Sequence, residues 1–186
     1  MKKLILFVLS AAFTSGCFAQ SPDSMYAYLQ NTRIPPIRIM QTDSTWFENN
    51  AIPHNKPVVI VYFSPECGHC QLAAQEIYGA KDKLKNAFFI WTSYFPVPEI
   101  ASFRKNYKIG SLPNFRFGRD PKYAIPSYFK VQFTPFMAVY DTEGKFVQAF
   151  SQGASPETLA SLVEQCMKNA KPVNHLRSSV KKGRLK

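Results

Sequence analysis

Runs and alternations of apolar residues mark out the elements along this chain. Residues 37–40 (Ile-Arg-Ile-Met) predict a first strand. The turn-rich stretch from Thr42 to Lys56 predicts only a short helix near residues 44–49. Pro57 opens the clearest strand, residues 58–63, which is apolar nearly throughout and β-branched, as expected for a central strand covered on both faces. A helix follows. Ser64 suits its N-cap and Pro65 its first position. Cys70, Ala73, Ala74, Ile77 and Tyr78 recur at helical spacing and give it one buried face, with its end expected between Gly79 and Lys85.

Residues 87–92 read as another apolar strand, Pro98 to about Tyr107 as a helix, Ile109 to Lys122 as irregular, and residues 124–130 as one or two helical turns. Two strands, residues 136–140 and 145–150, are joined by Asp141-Thr142-Glu143-Gly144, a hairpin signal. Ser155-Pro156 starts a last helix with Leu159, Leu162, Val163 and Cys166 on one face, and Pro172 marks its end. The order βαβα, hairpin, α predicts an α/β fold with a central mixed β-sheet flanked by helices.

The two ends read differently from the body. Lys2-Lys3, an apolar stretch from Leu4 to about Phe13 and small residues up to Ala19 form a secretory signal pattern over residues 1–19, with the cut expected after Ala19. Ser15-Gly16-Cys17 also resembles the end of a lipoprotein box, although Thr14 stands where Leu is usual, so a lipid anchor at Cys17 is the alternative. Either route takes the protein out of the cytoplasm, to the periplasm or to a membrane surface, where disulfide chemistry is possible. Residues 20–36 are polar and Pro-containing and predict a loosely packed lead-in. Residues 37–171 form the predicted domain, and residues 172–186 a flexible basic tail.

The 186 residues are 46% apolar and 19% charged, which excludes a disordered chain and allows a full core. The net charge of +11 points to nucleic acid less than it first suggests. Lys2, Lys3 and five bases in the last ten residues account for 7 of the 23 basic residues, and the 16 that remain face all 12 acids. Contact with an anionic membrane is an alternative for the basic tail. Nucleic acid does not suit an exported protein.

Cys67-Gly68-His69-Cys70 carries the candidate chemistry. Two cysteines at this spacing can be half of a zinc site, but no second such pair exists, and Cys166, His54 and His175 are poor ligands for it. A redox dithiol fits the position after a buried strand and at a helix start. There unpaired N–H groups and the helix dipole favour a Cys67 thiolate. Cys67 is then the attacking sulfur and Cys70, one turn on and on the packed face, the resolving one. Gly68 lets a substrate backbone approach, and a protonated His69 adds positive charge beside the thiolate. Glu66 acts in the other direction, weakly if it is exposed. Cys166 reads as a buried, unpaired thiol. Trp91, Tyr94 and Phe95 close a strand near this edge and read as core before substrate groove.

The strand, the Cys67-Gly68-His69-Cys70 helix start and the later Thr134-Pro135 resemble a thioredoxin-fold protein from about Ile37 to Lys168. The resemblance implies a cis Pro135 facing the cysteines, with the backbone at Thr134 pairing with an extended substrate. The predicted export and the long segment between Cys70 and Pro135 are similar to exported bacterial thiol–disulfide oxidoreductases of the TlpA and ResA type. The Gly-His pair is similar to that of protein disulfide isomerases. One departure stands out: thioredoxins bury an acid six residues before the first cysteine, where this chain has Val61.

The implied activity is exchange of disulfides with protein cysteines through Cys67 and Cys70, needing no cofactor, no metal and no nucleic acid. An electron donor or acceptor, not identified by the sequence, must reset the pair. The second reading is a thioredoxin-fold carrier of copper or zinc on the same dithiol, for which no third soft ligand is apparent. A peroxiredoxin lacks its Pro-and-Thr setting before the reactive cysteine here.

Overall fold

In the computed structural model, which describes Leu29 and residues 31–170, seven strands form one mixed sheet. In chain order the elements are β1 (Arg38–Gln41), β2 (Trp46–Glu48), β3 (Val58–Tyr62), α1 (Gly68–Gly79), α2 (Lys81–Leu84), β4 (Phe88–Ser93), α3 (Val97–Asn106), β5 (Phe115–Arg119), α4 (Ala124–Phe129), β6 (Phe136–Tyr140), β7 (Phe146–Phe150) and α5 (Pro156–Lys168). The strand order is β2-β1-β5-β4-β3-β6-β7. β3, β4 and β5 run parallel, whereas β6 pairs antiparallel with β3 and β7.

β3 sits at the centre and all five of its residues are buried. Its alternating side chains feed two cores. Val59 and Val61 join Cys70, Ala74 and Ile77 of α1, Ile100 and Phe103 of α3, and Leu159 and Val163 of α5. Val58, Ile60 and Tyr62 join Ile37, Ile39, Phe47 and the α4 residues Ile125 and Phe129 on the other face. Each such fully buried side chain contributes on the order of 1.5–3 kcal/mol. The all-apolar strand predicted at residues 58–63 thus follows from helices on both faces. The expected α/β sheet flanked by helices is the observed fold.

Four expectations need correction. First, residues 44–49 are not a helix: Trp46–Glu48 pairs antiparallel with β1, and a 3-10 turn follows at Asn49–Ala51. Second, the irregular stretch from Ile109 to Lys122 contains β5, an internal strand between β1 and β4. Third, the lead-in is not loose at residues 32–34. Ile34 N–H donates to Gly144 O at 3.2 Å and Phe146 N–H to Thr32 O at 2.6 Å, which ties it to the β6–β7 turn. Fourth, Ser64 and Pro65 do not start α1, which begins at Gly68 with Cys67 as N-cap. The predicted signal segment, Cys17, Pro172 and the basic tail lie outside the described residues. No helix among the described residues is long and apolar enough to cross a membrane.

Candidate active site

β3 delivers the chain to one edge of the sheet, and a tight turn then sets the first cysteine. Cys67 N–H donates to Ser64 O at 3.1 Å, so Pro65 serves as the second residue of a β-turn instead of as the helix start. Cys67 O accepts the first helical bond, from Gln71 N–H at 3.0 Å. Cys67 is extended (φ −78°, ψ 118°) and caps the helix, which places its sulfur at the unsatisfied N–H groups of the first turn. Cys70, one turn later on the packed face, is fully buried, and both are free thiols.

The two sulfurs sit in opposite electrostatic environments. Burial disfavours the Cys67 thiolate, but contacts with Thr134, with the backbone N–H and thiol of Cys70 and with the backbone N–H of His69 outweigh it. The Cys67 pKa is therefore held below the ordinary thiol value. Burial pushes the Cys70 thiol up to about 12, and its proximity to Cys67 adds to the rise. Thr134 together with backbone N–H groups of the helix start lowers the one, and burial raises the other. The His69 side chain is exposed, as is Gly68, where a Cβ would meet nothing within 4 Å.

The third part arrives from the other side. The Thr134–Pro135 peptide is cis, and the Cys67 thiol donates to the Thr134 carbonyl oxygen at 3.3 Å. β6 begins at the next residue and runs antiparallel to β3, with Phe136 opposite Tyr62. The sheet register therefore carries Pro135 to the cysteine edge. A proline here takes no donor from the ladder, because β6 starts after it. The thioredoxin-like domain matches residues 48–166, a span that holds the dithiol and this proline.

The chain belongs to the thioredoxin-like family. Among solved structures it is similar to a secreted disulfide oxidoreductase of Mycobacterium tuberculosis, at 20% identity and TM-score 0.57, over 69% of this chain and 95% of that one. It is also similar to a thiol:disulfide interchange protein of Chlorobium tepidum, at 14% identity and TM-score 0.61, over 73% and 96%. A third is the exposed lipoprotein thioredoxin of Streptococcus pneumoniae, at 18% identity and TM-score 0.54, over 70% and 99%. These likenesses bear on the fold. No curated protein matches the sequence.

Within this thioredoxin-like site, Val61 is fully buried at the position where thioredoxins carry an acid, so no carboxylate on β3 reaches Cys70 from there. Gly153 was not singled out by sequence reasoning. It has φ +80°, and a Cβ added to it would lie 3.0 Å from Pro135 Cγ. Glycine there meets both a left-handed turn after β7 and a close approach to the proline. The sequence signal was the turn-forming Ser-Gln-Gly triplet, which gives no hint of what it faces.

Cys166 and Trp91 belong to the core, whereas Tyr94 stays exposed at the sheet edge. Cys166 is buried on α5, and burial raises its pKa. Trp91 is wholly buried against Phe63 and Phe117, as core; Tyr94 is 48% exposed. Among the described residues no three His, Cys, Asp or Glu side chains converge as a metal site. A copper or zinc carrier would have the two cysteines without a third ligand from these residues, and is not favoured.

Proposed function

We propose that this protein is an exported thiol–disulfide oxidoreductase that exchanges disulfides with protein cysteines through Cys67 and Cys70. The observation that carries the reading is the opposed environment of the two sulfurs at one helix start. A lowered Cys67 pKa raises its share of thiolate above that of an ordinary thiol, and a Cys70 thiol pushed up to about 12 keeps its proton until it is needed. The Cys67 thiolate attacks one sulfur of a substrate disulfide, and the other sulfur leaves as a thiolate. The resulting mixed disulfide removes the negative charge from Cys67. Cys70 then loses its proton to solvent or to the departed thiolate and attacks the Cys67 sulfur. The second substrate sulfur leaves, and Cys67–Cys70 becomes the disulfide. The substrate gains the two electrons that the dithiol loses, and the reverse direction uses the same atoms. Resetting the pair takes an external thiol or disulfide partner.

Thr134 and Pro135 form the substrate side in this reading. Thr134 O already accepts from the Cys67 thiol, and in this reading the adjoining backbone pairs with an extended substrate segment. Gly68 leaves open space for that segment, and the exposed His69 lies beside it. The signal pattern of residues 1–19, with periplasmic release or anchoring at Cys17, supports export. The secreted and lipoprotein structures to which the fold is similar agree with it. The test is insulin reduction, coupled to dithiothreitol, with cells fractionated in parallel. Wild type should turn over, Cys67→Ser should be inactive, and the protein should appear outside the cytoplasm. Retained activity in Cys67→Ser, or a cytoplasmic protein, would overturn the corresponding half of the reading.

A further inference from the structure

The parallel strands β3, β4 and β5 end at the same edge as the cysteines, and their last residues assemble a feature that the exchange chemistry does not use. Tyr62 of β3, Tyr94 after β4 and Tyr123 before α4 interlock. Tyr123 meets Tyr62 edge-on at 6.2 Å and Tyr94 edge-on at 5.3 Å between ring centroids. Tyr62 is buried, whereas Tyr94 and Tyr123 are 48% and 49% exposed. Tyr123 holds this place at φ 57°, a left-handed backbone that a tyrosine rarely adopts.

Arg119, at the end of β5, completes the shelf. Its guanidinium carbon lies 5.4 Å from the Tyr94 ring centroid, and its Nε donates to Tyr94 O at 3.1 Å. Stacking and that bond fix the fork. Among the described residues Arg119 has no ion pair, and its two terminal nitrogens have no hydrogen-bond partner. The neighbouring acid, Asp120, does not serve it: that carboxylate is buried and accepts from Ile125 N–H at 2.8 Å and Lys122 N–H at 3.3 Å. The edge therefore presents two half-exposed aromatic rings beside an oriented guanidinium that lacks a carboxylate.

We propose that Arg119, Tyr94 and Tyr123 are specificity-determining residues that select substrate proteins carrying an acidic and an apolar side chain beside the reacting cysteine. The site reads a carboxylate by the arginine fork and an aromatic or aliphatic group on the tyrosine shelf. Tyr62 ties it to the chemistry: it precedes Cys67 by five residues and lies opposite Phe136, the residue after Pro135. A segment laid across Pro135 and Cys67 and continued toward β5 would reach the shelf. This inference rests on the proposed exchange reaction.

The test uses two synthetic peptides with the same internal disulfide, one with Glu-Phe beside a cysteine and one with Lys-Phe. The second-order rate of reduction by the reduced protein is measured at low and at 0.5 M salt. Each rate is divided by the rate the same sample gives with 2-hydroxyethyl disulfide, a small uncharged substrate. Wild type should prefer the acidic peptide by about tenfold, as expected of a charge-assisted bond, and less at high salt. Arg119→Ala should bring the ratio near one and Arg119→Glu should invert it. Tyr123→Gly, whose backbone suits φ 57°, should slow both peptides about fivefold while keeping their ratio. An equal ratio in wild type, or one that Arg119→Ala leaves intact, overturns the inference. If wild type fails to reduce 2-hydroxyethyl disulfide, the exchange reaction itself is wrong and the inference falls with it.

Discussion

The Cys67 thiol reaches the carbonyl oxygen of Thr134 at 3.3 Å, across 67 positions of sequence. That contact joins the two halves of the fold at the proposed exchange site. One half is the β3–α1 unit that presents the sulfur at a helix N-terminus. The other is the β6–β7–α5 unit, which starts at Pro135. Opening a gap between them would separate the thiolate from the backbone proposed to hold its substrate.

The opposed environments of the two sulfurs predict a large difference in their alkylation. In the reduced protein, limiting iodoacetamide at mildly acidic pH should modify Cys67 and spare Cys70 and Cys166. Raising the pH should increase the Cys67 rate with a midpoint below the ordinary thiol value of 9.0, since the hydrogen bonds to it outweigh burial. Peptide mapping after a pH series gives the midpoint directly. Equal labelling of Cys67 and Cys70 would contradict the assignment.

Cys70 also predicts a pH effect on stability. Its pKa in the folded, reduced protein is about 12, above the 9.0 of an unperturbed thiol. A raised pKa means that the unfolded chain gives up this proton first. The stabilisation is thus complete below pH 9 and is lost as pH rises from about 9 towards 12. The Tm of the reduced protein should fall over that window more steeply than the Tm of Cys70→Ala. Parallel curves would show that Cys70 does not carry the effect.

Gly153 faces Pro135, so Gly153→Ala combines an unfavourable φ of +80° with a Cβ 3.0 Å from the proline ring. A cost of roughly 1–3 kcal/mol is expected, together with slower reduction of protein disulfides as the proline shifts. Denaturant melts and insulin turnover on the same preparation check both. Unchanged values in both would mean that the turn accommodates the methyl without moving Pro135.

Much of the fold was legible because its core strands are apolar on both sides. β3, β4 and β6 are wholly buried, and a run such as Val58–Tyr62 has no other use. β5 was missed for the opposite reason. Phe115, Phe117 and Gly118 are buried, but Arg116 and Arg119 break the run, and a glycine inside a strand reads as loop. That glycine is required by packing, since a Cβ on Gly118 would lie 2.9 Å from Ile39 Cγ1 and from Met40 O of β1. Gly118→Ala should therefore destabilise the protein by about 1–3 kcal/mol, measurable by urea unfolding, and a neutral result would place β1 further from β5.

At the site, Cys67-Gly68-His69-Cys70 and Thr134-Pro135 were legible from their setting between strand and helix and before a strand. The offset of the helix start from Ser64 to Cys67 was not. Ser64-Pro65 suits a β-turn as well as a helix N-terminus, and only the bond from Cys67 N–H to Ser64 O distinguishes them. Tyr94 was placed near this edge but read first as core, and Gly153, Arg119 and Tyr123 were out of reach because their meaning lies in partners far along the chain, as with Gly153 and Pro135.

The central claim is that substrate disulfides are opened by Cys67 and resolved by Cys70. Cys70→Ser, incubated with a disulfide-bonded peptide and analysed by non-reducing mass spectrometry, tests it most directly. The account predicts a stable one-to-one mixed disulfide that maps to Cys67 and is released by dithiothreitol. It also predicts no such adduct in wild type, where Cys70 clears it. Absence of an adduct on Cys67 in Cys70→Ser, or an adduct that maps to Cys166, would contradict the account.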